Sequence, residues 1–107
     1  MPQLPFVTIL VTCPTRAVAE TIGRTLVEER LAACANLVPG LTSIYRWGGR
    51  IHREREVLLL LKARRRQFKR LAARVASLHP YDTPQIVALP LVAAADRYLA
   101  WLADSTS

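Results

Sequence analysis

Long apolar runs are missing from this 107-residue chain. The longest unbroken one, Val57–Leu61, falls far short of the ~18 residues that read as a membrane span. Cysteine is scarce: Cys13 and Cys34 are too few for a disulfide scaffold. The only histidines, His52 and His79, belong to no HxxxH or CxxC spacing, so no closed metal site can be read from them. The four glycines fall in no P-loop or GxGxxG pattern, and no serine-hydrolase elbow is present. The opening MPQLPFVTIL has no basic leader and does not read as a secretory signal. Free thiols in the cytoplasm and no membrane partner are therefore expected.

Acidic residues are also few, eight against fifteen Lys and Arg, leaving a net charge of +7. The imbalance is local. Between Arg46 and Arg74 eleven basic side chains face only Glu54 and Glu56, about +9 in all. Such clustering suits a polyanionic partner, or simply a solvated helix face, which is the commoner case. At 51% hydrophobic, the chain has enough apolar content for one globular domain spanning residues 1–107.

What the chain does have is a long hairpin. Asn36–Lys62 reads as two β-rich arms of about a dozen residues around Gly48-Gly49, and paired glycine is a strong hairpin signal. At roughly 3.3 Å per residue, each arm spans about 40 Å. A compact domain of this length is only about 34 Å across. The hairpin should overhang its own domain, and overhanging strands invite another chain. An oligomer is expected on this ground alone.

Around the hairpin, Pro5–Val11 is a buried strand leading to Thr12-Cys13-Pro14. Thr15 is an N-cap for an amphipathic helix over Ala17–Ala33. Gln67–Ser77 is the cleanest helix, with Phe68, Leu71, Val75 and Leu78 on one face and Pro80 as its stop. Gln85–Leu91 is a short strand and Ala94–Asp104 a last helix. The order βαββαβ plus a C-terminal helix predicts an α+β, ferredoxin-like sandwich.

Candidate sites are weighed against plainer readings. Cys13 as a thiolate could bind a soft metal, but a small, partly buried apolar residue is favoured; Cys34 sits among small apolar residues and reads as structural. His79 could ligate a metal, cap its helix, or pack at an interface, the last two being favoured. Glu54 and Glu56 share one face of a strand, and flanking Arg53 and Arg55 suggest cross-strand or intersubunit ion pairs. Arg64, Arg65, Arg66, Lys69 and Arg70 put positive charge on the first turns of a helix whose dipole is already positive there. A bound anion would relieve this; solvation or pairing with another subunit is the plainer reading. Tyr45 and Trp47, near Arg46 and Arg50, could stack on single-stranded nucleic acid, but no RNA-binding motif matches and that reading is disfavoured.

Three segments together resemble the CutA family of divalent-cation tolerance proteins: LAACANLVPGLTSIY from Leu31 to Tyr45, EVLLLLK from Glu56 to Lys62, and HPYDTPQI from His79 to Ile86, with Tyr98 and Trp101 beyond. The resemblance runs from about Phe6 to Leu102. It implies a ferredoxin-like domain related in architecture to the PII signalling proteins, a tight homotrimer in which the hairpin crosses to a neighbour, a role in tolerance to copper and other divalent metals, and no catalysis. The copper ligands described for some members are a strand-one cysteine and a histidine pair before Pro-Tyr. Here the pair reads Leu78-His79, the strand-one position falls at or near Val11, and Cys13 lies two residues on, facing the same side. Gln85 stands where the family usually has an acid. The resemblance thus makes His79 and Cys13 the metal candidates, for Cu or Zn. It also places Tyr45, Trp47, His79, Tyr81 and Gln85 at an intersubunit cleft. The alternative is a PII-like signalling or scaffold module that binds an anionic small molecule or a partner protein in such clefts, with Arg64–Arg70 as the anion site.

Overall fold

A computed structural model describes residues 4–107. Strand β1 (Phe6–Cys13) leads to helix α1 (Arg16–Glu28), then to the paired strands β2 (Cys34–Trp47) and β3 (Arg50–Arg64). A 3-10 turn over Arg65–Gln67 opens helix α2 (Phe68–Leu78), and β4 (Ile86–Pro90) and α3 (Asp96–Ser105) close the chain. The strands form one antiparallel sheet in the order β2-β3-β1-β4. This is the ferredoxin-like α+β arrangement expected from the element order.

Alternation along the strands puts the core on one face. Ile9, Val11 and Cys13 of β1 and Leu59, Leu61 and Ala63 of β3 are fully buried against Ile22 and Leu26 of α1 and Leu71 and Val75 of α2. On the opposite face α3 covers only the end near Phe6, where Leu102 packs with Phe6 and Ala33. The rest of that face, including Leu58 and Leu60, is half-buried, and Val38, Val87 and Leu89 are exposed.

Helix α1 begins as expected, with the Thr15 hydroxyl accepting from Val18 N–H at 3.2 Å. It ends earlier than the apolar pattern suggests, at Glu28 rather than Ala33. Arg30 takes the left-handed conformation (φ 61°), while Arg30 N–H bonds Val27 O and Leu31 N–H bonds Leu26 O. That is a Schellman cap with arginine where glycine is usual. It turns Leu31 and Ala32 directly into the core.

The hairpin is longer than the sequence suggests, reaching back to Cys34 and on to Arg64. Gly48 and Gly49 both have positive φ, as a two-residue hairpin turn requires. β1 pairs with β3 only from Arg64 to Val57. Beyond Val57 the two arms run on as a ribbon with no third strand among the described residues, and these measure 44 × 30 × 24 Å overall. Midway along β2 a bulge at Pro39-Gly40 interrupts the ladder: Val38 pairs with Leu58, but Leu41 pairs with Glu56. Gly40 has φ 81°, and Pro39 sits on an edge strand where a missing N–H is tolerated. The extra residue reverses the parity of β2. Odd-numbered Tyr45 and Trp47 therefore stand on the same side of the ribbon as Glu54 and Glu56.

Candidate functional site

β1 stops at Cys13-Pro14, while β3 continues past it through Glu56. The segment after α2, held by Pro80 and Pro84, crosses this gap on its way to β4. The result is a cavity of ≈ 480 Å³ between the ribbon and the loop. Tyr45 and Trp47 form its ribbon wall, and Tyr81, Asp82, Thr83 and Gln85 its loop wall. Thr12 and Glu56 lie at its base.

Glu56 is the unusual member. It continues the phase of Leu58 and Leu60 and is only 7% exposed. Its Oε2 accepts a 2.8 Å hydrogen bond from the Tyr81 hydroxyl. Its Oε1 has no hydrogen-bond partner among the described residues, yet it is not a sealed, unsatisfied atom. Glu56 as a residue lines the cavity. One residue pair further out, Tyr45 donates to Glu54 at 3.0 Å and stacks on His52, whose Nε2 donates to Trp47 O. Burial, the bond to Glu56 and the charges of Glu56 and Glu54 together push the Tyr81 phenol far up.

The cross-strand ion pairs expected of Glu54 and Glu56 do not form among the described residues; the one salt bridge there joins Arg74 to Glu29. Register explains it. Ser43 and Leu41 stand opposite Glu54 and Glu56, while Arg53 and Arg55 point to the other side of the ribbon, opposite Ile44 and Thr42. Tyrosine hydroxyls take the place of the guanidinium groups.

His79 is buried beneath the loop rather than lining the cavity. Its Nδ1 accepts from Tyr81 N–H at 3.2 Å and its Nε2 donates to Thr12 O at 2.9 Å. The ring therefore ties the loop to the end of β1. Cys13 lies on the core face, 0% exposed, with its thiol pushed up to about 11, first by burial and then by the charge of Glu56. Arg64, grouped above with the anion-binding run, is engaged inside the chain: it donates to Thr106 Oγ1 and Ala103 O and lies over the Phe6 ring. Arg65, Arg66, Lys69 and Arg70 are exposed on the opening turns of α2, outside the cavity.

The family model for the CutA1 divalent ion tolerance protein matches residues 7–105. The chain belongs to the CutA1 family. Among CutA1 relatives, the divalent-cation tolerance protein CutA of Thermus thermophilus is 53% identical over 98 residues, covering 92% of this chain and 95% of that protein. The chloroplastic CutA of Arabidopsis thaliana is 39% identical over 103 residues, covering 96% of this chain, which spans only 57% of that relative's length. The solved structure of a divalent cation tolerance protein from Thermus thermophilus has a TM-score of 0.93 at 51% identity, over 95% of this chain and 99% of that one.

The family name raises the question of a metal. Within a single chain the candidates His79 and Cys13 do not form a site for one. Both ring nitrogens of His79 are engaged, the thiol of Cys13 faces the core, and no three His, Cys, Asp or Glu converge among the described residues. Tyr45, Trp47, Tyr81 and Gln85, which the resemblance places at a cleft between subunits, line one cavity within a single CutA1 chain. Sequence reasoning missed Glu56 as part of that set. The available signal was its phase: a carboxylate in step with Leu58 and Leu60, at the head of EVLLLLK, is bound for burial and needs a donor.

Proposed function

We propose that this chain is a non-catalytic, homotrimeric divalent-cation tolerance protein that works as an assembled scaffold, without a copper or zinc site on His79 and Cys13. The observation that carries the reading is the ribbon. Past Val57 two strands run with no third partner among the described residues, and Ile44, Trp47 and Ile51 are 69%, 57% and 61% exposed on them. A lone two-stranded ribbon is marginal in water, so a second copy of the chain is the natural cover. The number three comes from the family resemblance. Both thiols are free, in keeping with work in the cytoplasm. Light scattering after size exclusion tests the assembly: a trimer is expected, and a monomer at micromolar concentration ends the reading. Calorimetry with Cu(I), Cu(II) and Zn(II) tests the rest, since binding lost in His79→Ala restores the metal pair.

A second reading is favoured by one observation, the ≈ 480 Å³ cavity, a size suited to a small molecule. On it the trimer is a PII-like module that responds to a ligand held between the ribbon and the Tyr81–Gln85 loop. Stabilisation by a small molecule and not by metals, read as a rise in Tm, supports it.

A further inference from the structure

From the lining of this cavity we infer that its ligand is a small organic cation, an amine or quaternary ammonium compound; the inference rests on the reading of the cleft as a ligand site.

The chain carries +7, yet no Lys, Arg or His lines the cavity among the described residues. Its charged members are both acids, Glu56 and Asp82. An anionic ligand would meet a carboxylate at the base and no counter-charge. The basic run that motivated an anion lies elsewhere, with Arg64 committed to α3. Glu56 supplies what a cation needs. It is more than nine-tenths buried and lines the cavity; one oxygen is held by Tyr81, and the other is not sealed off and has no partner among the described residues. A buried carboxylate with no cationic partner is costly to keep, and a cation delivered by the ligand offsets that cost.

Aromatic walls separate an organic cation from a metal ion. Tyr45, Trp47 and Tyr81 converge on the cavity, and ring faces attract ammonium groups. A hard cation would need several oxygen ligands held close together. The cavity offers only the two acids, and no third His, Cys, Asp or Glu completes a cluster among the described residues. The volume also far exceeds that of a bare ion. The Thr12, Ser43 and Thr83 side chains and the Gln85 amide offer hydrogen bonds to a hydroxylated or amide-bearing tail.

The test uses the full chain at low salt, titrated by calorimetry with choline, with its uncharged isostere 3,3-dimethylbutan-1-ol, and with inorganic phosphate. Choline is expected to bind saturably and the alcohol to bind at least about tenfold more weakly. Trp47→Ala, on the ribbon wall of the cavity, should weaken choline by about tenfold in protein that light scattering shows to be still assembled. Glu56→Gln should weaken it by at least that much, provided circular dichroism shows it folded; Trp47→Ala decides the matter if it is not. Equal binding of the alcohol and choline overturns the charge requirement. Binding of phosphate in place of choline overturns the cation while sparing the cleft as a ligand site. No binding by any probe up to roughly 10 mM sinks both.

Discussion

Tyr81 donates a 2.8 Å hydrogen bond to Glu56 across 25 residues of chain, tying the Tyr81–Gln85 loop to β3 as His79 ties it to the end of β1. Removing the hydroxyl leaves a carboxylate that is 7% exposed without its one donor. Tyr81→Phe should therefore cost about 1–3 kcal/mol in urea unfolding. Glu56→Gln keeps an acceptor for Tyr81 and should cost less. In the double variant most of the Tyr81→Phe loss should disappear; additive losses would mean that the two side chains act separately.

Stability should decline on the alkaline side. The Cys13 thiol is raised from 9.0 to about 11 by burial and by Glu56. A folded value above the unfolded one means that the folded state holds the proton more tightly. The contribution is fully present below pH 9 and is lost as pH rises through about 11. Tyr81 is shifted in the same direction, so its contribution is present below pH 10 and is lost at higher pH. Tm should be level up to about pH 9 and then fall. Cys13→Ala should flatten the fall between about pH 9 and 10 and leave the steeper part above it; an unchanged profile would remove Cys13 as a cause.

Gly23 lies inside α1, where alanine ordinarily improves a helix by about 1 kcal/mol. Here the sign should reverse. A Cβ on Gly23 would stand 2.8 Å from the Ala35 Cβ on β2 and 3.4 Å from Leu59 Cδ1. Neither the Ala35 methyl nor the strand beneath it can swing away. Gly23→Ala should destabilise by about 1–3 kcal/mol in thermal or urea unfolding. A more stable Gly23→Ala protein would mean that α1 rides further from β2 than these distances allow.

Much of the fold could be read because it rests on periodicity. Phe68, Leu71, Val75 and Leu78 mark α2 almost to the residue, and Gly48-Gly49 marks the hairpin turn. The failures have local causes. Ala32 and Ala33 extend the apolar pattern of α1, so the left-handed Arg30 that ends it is hidden in composition. The bulge at Pro39-Gly40 changes the side on which Tyr45 and Trp47 stand, and that change belongs to register rather than to composition. Glu54 and Glu56 adjoin arginines along the chain, and only the pleat shows that neighbours in sequence face apart. The aromatic half of the cleft was expected only through the family resemblance. Its acidic base was not expected, because burial of Glu56 depends on Tyr81 arriving from another element.

Arg64 makes the final case, since charge in a basic run conceals a structural role. Its Nε donates to Thr106 Oγ1 at 3.0 Å, its Nη2 donates to Ala103 O at 2.9 Å, and its guanidinium lies 5.3 Å from the Phe6 ring centroid. Thr106 in turn donates to Leu102 O at 2.7 Å, so one side chain holds the last turn of α3 to the sheet. Arg64→Met keeps much of the apolar stem but loses these charge-assisted bonds, for a cost of about 1.5–3 kcal/mol. The loss should be regional. Hydrogen exchange should speed up at Leu102 and Ala103, while Ile9, Leu59 and Leu61 in the main core keep their protection. Uniform loss across the sheet would instead make α3 part of the cooperative core, and no change at all would return Arg64 to the solvated basic face with Arg65 and Arg66.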